Sequence, residues 1–136
     1  MDTNKLKNDL IVDEGLKLFP YKCTAGKITI GVGRNIQDIG ITKAEAMFML
    51  DTDIDRVELE LDCNIDWWRN VSEYRQRALA NMCFNMGIKR LLGFKNMLLA
   101  MKQGDFNKAA DEALNSNWAK QVGDRAKRIA DMIRKG

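Results

Sequence analysis

The sequence predicts an α+β fold that is mostly helical, with a small β-hairpin lobe and a helical lobe joined by one long helix. Apolar residues recur at helical spacing over most of the 136 residues, whereas residues 27–32 alternate between polar and apolar. A chain of this length with 46% hydrophobic residues can bury one core. We therefore expect a single domain, 1–136, with a β-lobe at about 15–41, a linking helix at about 42–62, and a helical lobe at about 63–136 that includes an N-terminal helix, 3–14.

The N-terminal helix is predicted from apolar residues spaced by about one turn, with Thr3 or Asn4 as its N-cap. Gly15 favours termination, so Glu14 should be the last helical residue. The negative end of the helix macrodipole disfavours a charged carboxylate at that position.

A β-hairpin is predicted between Leu18 and Val32, with its turn at residues 24–26 and Thr29 on the strand face opposite Ile28 and Ile30. Residues 34–41 should form a short connection.

Helices are predicted for the rest of the chain. Thr42 and Glu45 have the spacing of a capping box, which opens the long linking helix. We expect the later helices to begin and end at turn and capping residues: a start at Asn70 or Ser72, an end at Gly87, a helix between Gly93 and Gly104, and caps at Asp105 and Asp124.

The composition restricts the chemistry. Histidine is absent, which excludes Ser-His-Asp and Cys-His catalysis and the usual His-containing zinc sites. The three cysteines are an odd number without a Cys-x-x-Cys pair, so neither a disulfide framework nor a Cys-only zinc site is expected. We expect no metal and no cofactor. Any acid–base catalysis must come from carboxylates, thiols, Lys or Tyr.

The charge pattern indicates little about partners. The net charge is +3, and six Lys or Arg residues follow Trp118 against two Asp. This basic segment is interpreted either as a solvated face or as a weak, salt-sensitive contact with anionic surfaces. No nucleic-acid-binding motif is present, so no nucleic-acid partner is expected. The N-terminus lacks the apolar core of a signal peptide, which predicts synthesis in the cytoplasm.

A long motif runs from Asp13 to Gly33. In it, a Glu precedes a Gly at a helix end, a second polar position lies nine residues later, and a Thr lies six beyond that, inside a Thr-Ile-Gly-x-Gly strand. This arrangement resembles the lysozymes of tailed bacteriophages, glycoside hydrolase family 24. Glu14 and Thr29 match the family pattern, whereas Cys23 stands where the family has Asp.

Later motifs extend the resemblance over nearly the whole chain. Residues 81–87 resemble the family's Asn-Met-x-Phe-x-Met-Gly helix, Gly93-Phe94 its Gly-Phe turn, and Trp118 with residues 125–128 its remaining signatures. The segment formed by residues 35–40 is shorter than the corresponding segment in members from T-even phages. The resemblance implies a lysozyme-like fold.

The resemblance also implies site residues. Glu14 is the expected proton donor, Cys23 and Thr29 its catalytic partners, and Arg125 a supporting residue that pairs with Glu14. Substrate contacts are expected from Phe84, Asn85 and Trp118.

Cys23 has three open interpretations: a nucleophile, a water-positioning base, or an inert small residue. A thiolate is strongly nucleophilic, and Lys22 or Lys27 could increase its fraction. The stereochemical outcome depends on which group acts opposite Glu14.

The implied function is that of an endolysin, a monomer that hydrolyses the β-1,4 bond between N-acetylmuramic acid and N-acetylglucosamine of peptidoglycan for host cell lysis. The enzyme would stay in the host cytoplasm until a holin releases it to the periplasm or cell wall. Two alternatives remain: a lytic transglycosylase that uses Glu14 alone, and a non-catalytic murein-binding protein.

Overall fold

The computed structural model describes all 136 residues and confirms a mostly helical α+β fold. The chain divides into two compact units, residues 1–48 and 49–136, with the boundary inside the long helix. The lobe boundaries predicted above, including the assignment of the N-terminal helix to the helical lobe, stay predictions. None of the helices combines the length and the hydropathy needed to cross a bilayer.

The first unit begins with helix α1 (Thr3–Glu14), which ends where the sequence predicts. Its N-cap is Asp2, whose side chain accepts from the backbone N–H of Lys5 at 3.0 Å, so the prediction of Thr3 or Asn4 is wrong by one or two residues. At the other end, Gly15 takes a φ of 79°, which L side chains rarely adopt, and its N–H bonds Ile11 O.

A three-stranded antiparallel sheet follows, in the order β1 (Lys17–Lys22), β2 (Ile28–Gly31), β3 (Arg34–Asn35). The predicted hairpin is confirmed: Tyr21 pairs with Thr29 and Lys22 with Ile28. The connection predicted for residues 34–41 instead contains β3 and a one-turn helix, α2 (Ile36–Ile39). Asn35 caps this turn, since its Oδ1 accepts from the N–H of Asp38.

The long helix α3 (Lys43–Asn64) confirms the capping box. Glu45 N–H donates to Thr42 Oγ1 at 3.1 Å, and Thr42 N–H donates to Glu45 Oε1 at 2.9 Å. Further along the helix, Val57 and Leu61 are buried in the core of the second unit.

The second unit consists of helices around one apolar core. After a 3₁₀ turn (Trp68–Asn70) come α4 (Glu73–Met86), α5 (Ile88–Leu92), α6 (Lys95–Lys102), α7 (Phe106–Leu114), α8 (Asn117–Val122) and α9 (Asp124–Lys135). Ser72 caps α4 and Asp105 caps α7, as predicted. The short helices α5 and α8 were not predicted, and Asp124 is the first residue of α9 and not its cap, which is Gly123.

Candidate active site

Glu14 is the last residue of α1, and its side chain is exposed. The helix stops here because Gly15 turns the chain into β1 with a positive φ. Glu14 is therefore held at its backbone by a regular helix, while its carboxyl group projects from the helix end. This is the placement that the sequence predicts.

The turn between β2 and β3 lies against Glu14. Gly33, at a φ of +66°, comes so close that a β-carbon built on it would stand 3.0 Å from Glu14 Oε2 and 3.2 Å from Glu14 Cβ and Cδ. Those separations are tighter than most β-carbon contacts, so any other residue at position 33 would shift the Glu14 side chain by a few tenths of an ångström. The turn thus limits the space open to the Glu14 carboxyl.

Cys23 begins the turn between β1 and β2 and is half-buried. Its N–H donates to Lys27 O at 2.9 Å, and its carbonyl accepts from Gly26 N–H at 2.8 Å, so the turn fixes its backbone at both groups. The pKa of its thiol is lowered chiefly by hydrogen bonding from the backbone of Lys27, then by that of Ala25, against an opposing effect of desolvation, with Thr29 contributing in the same downward direction.

The cause of this lowered pKa differs from the one expected. Backbone amides of the turn stabilise the thiolate, and not the ammonium groups of Lys22 or Lys27. Lys27 Nζ instead pairs with Asp38 Oδ2 at 3.4 Å. The thiolate is favoured by the fold of the turn itself.

Thr29 is only 3% exposed, whereas its neighbour Ile28 is 43% exposed. The hydroxyl donates to Lys27 O at 2.9 Å, the same carbonyl that accepts from Cys23 N–H. The hydroxyl proton therefore has a partner inside the turn, and the catalytic role expected of Thr29 stays a prediction. Thr29 supports the Cys23 turn directly.

An ion pair secures the segment that follows the sheet. Arg34 Nη1 lies 2.6 Å from Glu45 Oε2, which joins β3 to the first turn of α3. The Arg34 guanidinium, with the Thr42 backbone N–H second, lowers the pKa of Glu45 to about 2. The carboxylate of Glu45 therefore has a structural role in this unit.

The second unit contains the remaining predicted site residues. Phe84 is 47% exposed on α4, beside the exposed Asn85. Asn85 Oδ1 accepts from the indole N–H of Trp118 at 2.8 Å. Trp118 is 3% exposed and packs edge-on against Phe94, with ring centroids 6.1 Å apart. A buried indole is suited to holding Asn85 rather than to stacking on a sugar.

Arg125 lies near the start of α9 and is half-buried at a groove of about 660 Å³. Its Nε donates to Asn81 Oδ1 at 3.0 Å. Asn81 and Phe84 line the same groove. The predicted pairing of Arg125 with Glu14 joins residues of different units and stays a prediction.

Two of these residues, Gly33 and Asn81, were missed as functional candidates. In the sequence, Gly33 appears only as the last residue of the Thr-Ile-Gly-x-Gly strand. A glycine directly after a strand signals a positive φ, yet nothing in the spacing says which side chain approaches it. Asn81 lay within a named motif, but its partner is 44 residues away.

The fold and these residues define a class of protein. A glutamate at a helix end and a thiol with a lowered pKa, in a chain without histidine, are suited to acid-assisted cleavage of a glycosidic bond.

Comparison with known proteins places the chain within that class. Residues 12–135 match the phage lysozyme family. Probable T4-type lysozyme 1 of Dictyostelium discoideum is 28% identical, over 98% of this chain and 95% of that protein. An endolysin of Acyrthosiphon pisum secondary endosymbiont phage 1 is 32% identical, over 82% of this chain and 77% of its own. The chain belongs to the phage lysozyme family and is a peptidoglycan-degrading hydrolase, as the resemblance implied.

A third relative is much longer. The pre-baseplate central spike protein Gp5 of Enterobacteria phage T4 is 31% identical over 91% of this chain, which spans only 26% of that protein. Lysozyme-like sequence therefore also occurs as one part of a larger protein.

Proposed function

We propose that this lysozyme is an endo-acting muramidase that hydrolyses the β-1,4 bond between N-acetylmuramic acid and N-acetylglucosamine, with Glu14 as proton donor to the leaving oxygen. The single observation that carries the proposal is the contact between Glu14 and Gly33. General acid catalysis needs a carboxyl group whose position is fixed before the substrate arrives. The helix end and the turn together supply that restriction.

Cys23 is the proposed second group. A retaining glycosidase uses a nucleophile at the anomeric carbon, and an inverting one uses a base that activates water. The lowered pKa of the Cys23 thiol favours the thiolate that either role requires, and the turn holds its backbone in place. Thr29 is proposed to act through Cys23, because its hydroxyl lies in the same hydrogen-bonded turn and contributes to the lowered pKa of the thiol.

Substrate contacts are proposed for the second unit. Phe84 and Asn85 are exposed neighbours on α4, and an aromatic ring beside an amide suits an N-acetylated sugar. Trp118 keeps the Asn85 amide oriented through its indole N–H. Arg125 is proposed to pair with Glu14, which would hold the carboxyl group in its working position.

The proposed setting is host cell lysis, with a monomeric enzyme released from the host cytoplasm to the cell wall by a holin. Nucleic acid is not a proposed partner. The basic face of α9 gives at most a weak attraction to anionic surfaces, because Lys127, Arg134 and Lys135 are paired with acids of the same unit.

Product analysis of digested murein tests the proposal. Wild type, Glu14→Gln, Cys23→Ser and Cys23→Asp proteins are compared on purified sacculi, with the muropeptides identified by mass spectrometry. The proposal predicts reducing N-acetylmuramic acid ends from wild type and from Cys23→Asp, and none from Glu14→Gln. A chemical role for Cys23 predicts a strong loss in Cys23→Ser.

The alternatives give different products. A lytic transglycosylase needs one acid and no activated water. The presence of Cys23 in place of the family Asp is the observation that favours this alternative. A transglycosylase would leave 1,6-anhydro ends and tolerate Cys23→Ser. A murein-binding protein would pull down sacculi without releasing muropeptides, and Glu14→Gln would not change that binding.

A further inference from the structure

The peptide group between Lys27 and Ile28 is hydrogen-bonded on both of its sides. Its carbonyl oxygen, Lys27 O, accepts from Cys23 N–H at 2.9 Å and from the Thr29 hydroxyl at 2.9 Å. Its N–H, that of Ile28, donates in the other direction to Oε1 of Gln37 at 3.1 Å. Because a peptide group is planar, a bond that fixes its N–H also fixes the direction of its carbonyl. This group therefore links the Gln37 side chain to the backbone of Cys23.

Gln37 takes the place of a strand partner. The last pair of β2 and β3 is Thr29 with Asn35, and the register would next place Ile36 opposite Ile28. The chain turns into α2 at Ile36, so the ladder stops there. Ile28 N–H bonds the Gln37 side chain instead. A side chain, which a substitution can remove, thus supplies a bond that a strand would otherwise supply.

Helix α2 is itself held against the sheet. Asn35 Oδ1 accepts from Asp38 N–H at 3.1 Å, and Asn35 Nδ2 donates to Asp38 Oδ2 at 2.9 Å. Asp38 Oδ2 also lies 3.4 Å from Lys27 Nζ. Gln37 therefore belongs to a turn that is capped at its start and linked a second time to the residue whose carbonyl Cys23 uses.

We infer that Gln37 is a positioning residue of the lysozyme reaction: its amide oxygen fixes the peptide group between Lys27 and Ile28 and, through Lys27 O, the backbone of Cys23. This inference rests on the proposed function, in which Cys23 is the second group. The backbone of Lys27, with that of Ala25 second, lowers the pKa of the Cys23 thiol, so a shift of Lys27 should reach the sulfur.

Amide hydrogen exchange and thiol alkylation test this role in a Cys63→Ser background. Gln37→Met keeps the length of the side chain and removes its oxygen. The N–H groups of Ile28 and Cys23 should then exchange with water about fivefold faster, the order expected for loss of one neutral hydrogen bond. The pH midpoint of Cys23 alkylation by iodoacetamide, followed on the Cys23 peptide by mass spectrometry, should rise. On soluble murein fragments, kcat should fall severalfold with little change in KM.

Two further variants serve as controls. Gln37→Glu keeps an oxygen acceptor at the same place, so both exchange rates should stay at their wild-type values. Gln76 Nε2 donates to Arg69 O at 3.1 Å and to Val71 O at 2.9 Å, so Gln76→Met also removes a glutamine that bonds backbone, but in the second unit. Gln76→Met should leave the Cys23 midpoint in place. A midpoint shift as large as that of Gln37→Met would overturn the inference.

The thiol measurements separate failure of this inference from failure of the proposed function. In a Cys23→Ser background, Gln37→Met should cause no further loss of kcat, because it acts through the thiol, and an equal further loss would contradict the inference. If Cys23→Ser itself keeps the wild-type kcat while Gln37→Met raises the midpoint, the catalytic role proposed for Cys23 is refuted and the link from Gln37 to Cys23 holds. If Gln37→Met changes neither the midpoint nor the exchange of Cys23 N–H, the link is refuted whatever the activity.

Discussion

A β-carbon at Gly33 would stand 3.0 Å from Glu14 Oε2, so a larger residue in the turn between β2 and β3 would push against the Glu14 side chain at the end of α1. Gly33→Ala should therefore displace the Glu14 carboxyl. The contact requires a shift of a few tenths of an ångström, which should lower the rate severalfold, less than the roughly hundredfold loss that a 1 Å displacement causes. The measurement is kcat on soluble murein fragments.

Gly31→Ala is the matched control for that variant. Gly31 also has a positive φ, +71°, but a β-carbon there would meet no atom within 4 Å. Both alanine variants incur backbone strain, so both should lose stability, whereas kcat should fall further in Gly33→Ala than in Gly31→Ala. Equal losses of kcat in the two variants would show that strain alone is responsible.

The thiol of Cys23 should be deprotonated at lower pH than an ordinary cysteine, because backbone amides of its turn lower its pKa. Its rate of alkylation by iodoacetamide, measured against pH in a Cys63→Ser background, should reach half its maximum below pH 9.0, the ordinary value. Cys83 should contribute little, since burial raises the pKa of its thiol to about 11. Thr29→Val should move the midpoint upward, and a wild-type midpoint at or above 9.0 would contradict this account of the turn.

The ion pair between Arg34 and Glu45 should make stability depend on acid pH. The pKa of Glu45 falls from 4.5 to about 2 on folding, so its contribution is complete above about pH 4.5 and is lost as the pH falls towards 2. An NMR titration of the Glu45 carboxyl carbon should give a midpoint near 2 in wild type and a higher one in Arg34→Gln. Arg56→Gln, which removes the partner of Asp53 on the same helix, should leave that midpoint in place.

Arg75 should be a main stabilising contact of the second unit. Its Nε donates to Ile133 O at 2.7 Å and its Nη2 to Arg134 O at 3.3 Å, at the C-terminal end of α9, and its guanidinium lies 3.4 Å from the Phe106 ring centroid. Arg75→Ala should lower the free energy of unfolding by about 2–3 kcal/mol in urea denaturation.

Arg77→Ala serves as the comparison for Arg75→Ala. Arg77 lies on the same helix and is paired only with the exposed Glu73, one turn away, and with the Tyr74 ring. Its removal should cost about 0.5 kcal/mol or less. Similar losses of unfolding free energy from the two substitutions would contradict the stabilising role of the Arg75 hydrogen bonds to the end of α9.

Elements with a full helical period or a clear cap were predictable from sequence. The start of α3 at Thr42 follows from local side-chain chemistry, as does the end of α1 before Gly15. The short α8 has only six residues, too few to show a period, and α2 has four. Asp124 was misread as a cap because the sequence does not reveal that Gly123 takes a φ of 57°.

The places of single candidate residues in the fold were predictable from sequence, and their contacts were not. Local sequence pattern was enough to place Glu14 at a helix end and Cys23 beside the hairpin turn. The burial of Thr29 and of Trp118 could not be predicted, because each depends on partners that the fold brings together. The same holds for the approach of Gly33 to Glu14, which joins a helix end to a turn nineteen residues later.

The central claim is that Glu14 is the proton donor, and the initial rate of murein solubilisation by Glu14→Gln tests it most directly. Glutamine preserves the shape of the side chain and removes its acidic proton, so the fold should persist, as monitored by circular dichroism. The rate should fall by about a thousandfold or more relative to wild type. A folded Glu14→Gln protein that solubilises murein at close to the wild-type rate would contradict the account.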